Sequence, residues 1–102
     1  MFYFFSDPPV VETQQTFIHT SEEDETEVIC TVHASPKAKV VWFKNDEIFT
    51  EKQGLFKHRG NRHSIILTGI EESIFGVYKC KATNEFGSDE ATTEVSGNKP
   101  LV

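Results

Sequence analysis

The 102-residue sequence contains little of what catalytic, metal-binding or nucleic-acid-binding sites require. It has no glycine-rich phosphate loop, no histidines or cysteines at metal-ligand spacing, and no serine in a motif typical of a hydrolase. With 10 basic against 16 acidic residues, its formal net charge of −6 opposes binding to nucleic-acid phosphates and anionic lipids. We therefore predict that the chain is not an enzyme, needs no cofactor or metal, and contacts no nucleic acid.

Long apolar runs are also missing. The opening residues 1–5 are apolar, but the run is too short to cross a bilayer and lacks the basic residues that begin a secretory signal. Direct membrane insertion by this segment is therefore not expected, and any signal or anchor is expected elsewhere. We interpret residues 1–7 as an extension or inter-domain remnant, 8–97 as one domain, and 98–102 as a C-terminal linker.

What the sequence does contain is a regular series of short β-type segments separated by Gly, Pro, Asn and Asp turn signals. Apolar and polar residues alternate with a period of two in several of them, which is typical of half-buried strands. The pattern predicts an all-β sandwich or barrel. The predicted strands are 10–13 and 16–19 (a split first strand), 27–33, 39–44, 47–50, 55–58, 64–67, 77–84 and 88–96, with one helical turn at 71–75.

Two cysteines, a tryptophan and a tyrosine share the inward side of these strands. Cys30 and Cys80 are centred in two strands, Trp42 lies on a strand between them, and Tyr78 precedes Cys80 by two residues. This set resembles the immunoglobulin fold, an antiparallel two-sheet sandwich with an inter-sheet disulfide, a tryptophan packed against it and a tyrosine corner. The resemblance implies a Cys30–Cys80 disulfide, hence an oxidising compartment, and a hydrogen bond from the Tyr78 hydroxyl to the backbone of the preceding corner.

A second signature narrows the family. The run CKATNEFG, from Cys80 to Gly87, is similar to the C-x-A-x-N-x-x-G pattern of I-set immunoglobulin domains. Asn84 and Gly87 are expected at left-handed positions of a tight hairpin there. Residues 40–46 also resemble the third strand and following turn of this set, so the resemblance extends over roughly residues 8–97.

Two departures from the family pattern are visible. Ile74 stands where the family usually has an aspartate paired with an arginine, so we expect Arg59 or Arg62 to lack that partner. The acidic run at residues 22–25 replaces a Glu-Gly turn, which predicts a longer or more mobile loop.

The alternation also defines a candidate interaction surface on the outside of the sheet that contains Trp42. If Val40 and Trp42 point inward, Val41 and Phe43 point outward among charged neighbours, and an apolar centre with a charged rim is the anatomy of a protein interface. Scattered surface apolar residues explain the pattern equally well. The edge strand contributes Ile48 or Phe49. The candidate protein-binding face comprises Val41, Phe43, Phe49, Lys79, Lys81, Thr83 and Glu94.

Segments 62–67, 75–80 and 94–100 look like I-set domains of insect neural adhesion proteins of the lachesin, amalgam and klingon type. The resemblance implies an extracellular or cell-surface module that binds a protein partner, homophilically or with a related immunoglobulin protein, or acts as a spacer. Muscle proteins of the titin and twitchin kind contain similar domains with reduced cysteines, so a cytoplasmic scaffold is the alternative. A soluble immune or growth-factor-binding module is the third. The redox state of the cysteines and the neighbouring domains discriminate between them.

Overall fold

The computed structural model describes residues 6–20, 25–68 and 71–97. The expectations for residues 1–5, for most of the acidic run 22–25 and for the C-terminal linker lie outside these ranges. The elements follow the predicted segments closely. Most of the strand boundaries lie within one or two residues of the predicted ones. They are β1 (Asp7–Thr13), β2 (Phe17–Thr20), β3 (Thr26–Ser35), β4 (Lys39–Lys44), β5 (Glu47–Phe49), β6 (Leu55–Arg59), β7 (Arg62–Leu67), α1 (Glu71–Ile74), β8 (Gly76–Asn84) and β9 (Gly87–Gly97).

The strands form two sheets packed face to face. The four-stranded sheet has the order β1-β3-β7-β6, and the five-stranded sheet has the order β2-β9-β8-β4-β5. The split first strand contributes to both sheets: β1 pairs antiparallel with β3 in one sheet, whereas β2 pairs parallel with β9 in the other. The predicted all-β immunoglobulin-like sandwich is therefore confirmed.

The core lies between the sheets and is built from the inward positions of alternating strands. In β3 the buried residues follow a period of two, with Val28, Cys30 and Val32 all inward. They face a second buried layer on β4, β8 and β9, in which Trp42 is 4% exposed. The remaining core residues are Val11, Phe49, Ile65, Leu67, Ile74, Tyr78, Cys80, Ala82 and Val95.

A disulfide and a tyrosine corner tie this core together. The Cys30 and Cys80 sulfurs are at bonding distance with Cα atoms 6.6 Å apart, which joins the two sheets covalently. Trp42 lies directly opposite Cys80 on the neighbouring strand. The Tyr78 hydroxyl donates a hydrogen bond to the carbonyl of Ile74 at 2.7 Å, and burial raises the pKa of Tyr78 to about 12.

Ile74, the departure from the family pattern, is part of this core. Its side chain is 6% exposed and packs with the central cluster, while its carbonyl accepts the Tyr78 hydrogen bond. An apolar side chain therefore fills the place where the family usually has a charged one.

The predicted left-handed conformation of Asn84 is wrong. Asn84 ends β8 in register with Gly87, and the left-handed non-glycine residues of the described chain are Asn45 at φ 50° and Asp46 at φ 69°. The Asn84 side chain acts as a polar clamp instead. Its Nδ2 donates to the carbonyls of Asp7 (2.9 Å) and Pro36 (3.0 Å), and its Oδ1 accepts from the Phe86 N–H (2.9 Å). Because Asn suits turns through its side chain as well as its backbone, the residue type alone did not separate the two roles.

Candidate protein-binding face

The outer face of the five-stranded sheet brings most of the predicted residues together. Val41 lies opposite Lys81, and Phe43 lies between Lys79 on β8 and Ile48 on β5. Lys79 and Lys81 in turn lie opposite Thr92 and Glu90 on β9. The name "outer face" denotes the outward residues of this sheet: Val41, Phe43, Ile48, Val77, Lys79, Lys81, Thr83, Glu90, Thr92 and Glu94.

The centre of the outer face is apolar. Val41 and Phe43 are half-buried among their neighbours, whereas Ile48 is 64% exposed and Val77 is 42% exposed. Phe17, also exposed, lies on the edge strand opposite Glu94, which separates it from Val77. Phe43 and Ile48 lie directly opposite each other and form an apolar pair on the outer face.

Lys79 connects the apolar centre to the acidic rim. Its Nζ lies 3.6 Å from Asp46 Oδ1 and 3.4 Å from Glu90 Oε2, and 4.9 Å from the centroid of the Phe43 ring. The aliphatic stem of the lysine therefore covers apolar surface while its ammonium group is neutralised by two carboxylates. Each contact contributes a fraction of a kilocalorie to about 1 kcal/mol, so their main effect is to hold the side chain in place.

A tight turn fixes the edge of the face. Both residues between β4 and β5, Asn45 and Asp46, have positive φ, which matches the twist of a two-residue hairpin. The Asn45 N–H donates to the Val77 carbonyl at 2.8 Å, and its Oδ1 accepts from the Val77 N–H at 2.9 Å. Gly76 has a φ of +155°, and a Cβ there would lie 3.0 Å from Asn45 Nδ2, so any other residue would strain the backbone and displace the Asn45 amide. The turn thereby positions Asp46 beside Lys79.

The assignment of Phe49 to this face is corrected. Phe49 is 4% exposed and packs inside the sandwich, stacked 6.0 Å from Phe56 and edge-on 5.6 Å from Tyr78. Because the turn at residues 45–46 has two residues, Phe43 lies opposite Ile48 and Trp42 opposite Phe49, so Ile48 shares the outward side and Phe49 the inward side. Recognising Asn45-Asp46 as a two-residue turn would have settled this choice from the sequence.

The structure also pairs two histidines that sequence spacing did not connect. Register in the β6–β7 hairpin places His58 opposite His63, with parallel rings whose centroids are 4.2 Å apart. Burial, and secondarily the neighbouring His58, lowers the pKa of His63 below its usual 6.5. Nothing in the described ranges groups three or more His, Cys, Asp or Glu side chains in a metal-binding arrangement. The helical turn present there is far too short to cross a membrane.

Comparison with known sequences supports the family assignment. A profile of the immunoglobulin I-set domain matches residues 9–96. Vascular endothelial growth factor receptor 1 of Gallus gallus is 36% identical over 66% of this chain, and hemicentin-1 of Mus musculus is 29% identical over 91%. Muscle M-line assembly protein unc-89 of Caenorhabditis elegans is 31% identical over 68%. The chain corresponds to only 5%, 2% and 1% of the lengths of these relatives.

Solved structures show the same architecture. The structure of titin M4 superposes with a TM-score of 0.83 at 16% identity, covering 92% of this chain and 99% of that domain. A complex of titin M10 with an obscurin-like 1 immunoglobulin domain gives a TM-score of 0.79 at 26% identity, covering 95% of this chain and 100% of the matched chain. With its disulfide, its tyrosine corner and the profile match over nearly its full length, the chain belongs to the immunoglobulin I-set domain family.

Proposed function

We propose that this chain is a non-catalytic adhesion or recognition module of a cell-surface or secreted protein, spanning residues 8–97, and that it binds a protein partner through the outer face. The observation that carries the proposal is the apolar centre formed by half-buried Phe43 with exposed Ile48 and Val77, bordered by Lys79 and Glu90. An apolar centre within a polar rim favours a protein ligand over a small molecule, which would need a concave pocket.

Two similarities support a partner of the same kind. The segments at 62–67, 75–80 and 94–100 look like those of lachesin-, amalgam- and klingon-type neural adhesion proteins. The 26%-identical titin M10 structure is itself a complex between immunoglobulin domains. We therefore infer a second copy of this module, or a related immunoglobulin domain, as the partner.

A pair of matched substitutions in the full parent chain tests the proposed surface. Ile48, 64% exposed on the outer face, is changed to Asp, and Leu55, 59% exposed on the other sheet, is changed to Asp as the control. Binding to the parent chain itself and to a panel of immunoglobulin-domain ectodomains is measured by surface plasmon resonance. Ile48→Asp should weaken binding at least about tenfold, because a charge would be desolvated at the apolar centre. Equal loss in both variants, or in neither, contradicts the proposal.

The alternative is an intracellular scaffold or elastic module, favoured by the similarity to muscle protein unc-89. The oxidation state of the two cysteines distinguishes the extracellular module from the intracellular scaffold, because stable disulfides form in oxidising compartments. Protein from its native source is alkylated in denaturant and weighed without reduction. No label supports the extracellular module, whereas two labels support the scaffold. A bridged module that binds no partner in the panel would act as a spacer.

A further inference from the structure

One hairpin of this acidic protein is free of acidic residues. Residues 55–67, called here the basic hairpin, carry five basic side chains and no acidic one, although the whole chain has 16 acidic residues. The five basic side chains are Lys57, His58, Arg59, Arg62 and His63.

The register of the basic hairpin places like charges together. Arg59 lies directly opposite Arg62, and Lys57 lies on the same side of the hairpin two residues along β6, whereas the intervening His58–His63 pair points to the opposite side. Lys57, Arg59 and Arg62 are all exposed. Among the described residues the ion pairs are made by Lys79 on the other sheet, and these three cations have none. Like charges directly opposite each other destabilise a sheet, so this arrangement works against folding stability.

Ordinary explanations account for only part of the pattern. Basic residues often protect an edge strand from pairing with another chain, which suits Lys57 and Arg59 on the edge strand β6. Arg62 lies on β7, however, between β3 and β6, where no edge needs protection. Solubility is already served by the acidic excess. Lys37 lines a cleft with Gly60 and with His58 and His63, the pair that points away from the arginines. A second cleft is lined by Lys57 together with the acidic Glu51.

We propose that the basic hairpin binds a sulfated polysaccharide. Guanidinium groups match the geometry of sulfate oxygens through paired N–H donors, and facing side chains on adjacent strands stand about 5 Å apart. Arg59 and Arg62 would hold one sulfate, and Lys57, two residues along the strand and about 7 Å away, a second. A flat anionic bilayer or a nucleic-acid duplex would also meet the acidic surfaces of the domain, whereas a single flexible sulfated chain can follow the hairpin alone.

The test uses a size-defined heparin oligosaccharide, with binding measured by calorimetry over a series of NaCl concentrations. Wild type is compared with Arg59→Gln/Arg62→Gln and with Lys39→Gln/Lys81→Gln, which removes the same charge from exposed positions on the other sheet. Desulfated heparin and phosphatidylserine-containing vesicles serve as alternative anions. Thermal melts of each variant confirm folding, and Arg62→Gln alone replaces the double variant if that one does not fold.

Wild type should bind heparin with an affinity that falls steeply with salt. The arginine variant should bind about tenfold more weakly or worse, and its slope of log affinity against log salt should fall by about 2. The lysine variant should bind within about twofold of wild type. Absence of wild-type binding, equal loss in both variants, or equal binding to desulfated heparin or vesicles would overturn the proposal. Arg59→Gln/Arg62→Gln leaves every outer-face residue unchanged, so a loss of heparin binding in that variant is independent of the proposed protein contact.

Discussion

Lys79 and Arg62 occupy comparable places in the two sheets. Each stands on an inner strand with its side chain turned to solvent. Lys79 lies between two carboxylates and over the Phe43 ring. Arg62 faces another arginine and forms no ion pair within the described part of the chain. Lys79 is thus neutralised within the molecule, whereas Arg62 retains a charge that only a ligand or solvent can neutralise.

The difference shows that one core can carry two independent surfaces. The inward side chains of both sheets obey the same requirement for close packing, which leaves the outward positions free to differ. A surface with an apolar centre suits a protein partner, and a cationic hairpin without ion pairs among the described residues suits a polyanion.

The largest expected effect on stability comes from removing the disulfide that joins the two sheets. Replacing both cysteines, as Cys30→Ala/Cys80→Ala, should lower the free energy of unfolding by about 4 kcal/mol, since the bond closes a loop of 50 residues. Urea denaturation measures the change, with reduced wild type as the control. If the variant loses less than about 1 kcal/mol, the link between the sheets contributes far less than the chain-entropy argument implies.

The second-largest effect on stability is expected at the tyrosine corner, where Tyr78 contacts the Ile74 carbonyl. Tyr78→Phe removes the hydrogen bond to Ile74 and leaves a buried carbonyl unsatisfied, so stability should fall by about 1–2 kcal/mol. The wild type should also lose stability above pH 10, because the unfolded tyrosine ionises near 10 while the folded one resists until about 12. Thermal melts between pH 8 and 11 should show a decline that the phenylalanine variant largely lacks. An equal decline in both would assign the alkaline loss to other groups.

A smaller pair of effects should have opposite signs. Lys79→Gln loses two ion pairs and a cation–π contact, so stability should fall by about 0.5–1 kcal/mol. Arg62→Gln relieves the repulsion with Arg59, so stability should rise by up to about 0.5 kcal/mol. Chemical denaturation at low salt resolves both, and added salt should shrink both. Two changes of the same sign would remove the contrast between the surfaces.

The smallest effect is a dependence on pH in the basic hairpin. Because the folded pKa of His63 lies below 6.5, the unfolded chain takes up its proton first as the pH falls. Stability should therefore decline as the pH drops below about 6.5. Melts from pH 7.5 to 5.5 should show a shallower decline in His63→Gln than in wild type. Parallel curves for the two would exclude His63 as the cause.

The alternation of apolar and polar residues predicted which side chains point inward. It did not predict which residues pair across neighbouring strands, because that depends on the register. A period of two identified the inward residues of β3, β4 and β8, and with them the cysteines, Trp42 and Tyr78. The prediction that Phe49 points outward was wrong, because the direction of its side chain depends on the length of the preceding turn. A shift of one residue exchanges the two faces of the strand. The His58–His63 pair and the Arg59–Arg62 pair likewise arise from hairpin pairing, which local pattern does not contain. The Asn84 clamp joins segments that are 77 and 48 residues away in sequence.

The parallel pairing of β2 with β9 also determines how the module responds to tension. Residues 17–20 run beside residues 94–97 in the same direction, and the preceding segment is attached to β9 through Thr93 Oγ1 and the Gln15 carbonyl at 2.8 Å. A pull applied at Asp7 and Gly97 would act along the strands, so the bonds between them would be loaded in shear and resist together rather than open one at a time. Forced unfolding is governed by the unfolding rate, and this geometry opposes it whether the module stands between two cells or within a filament.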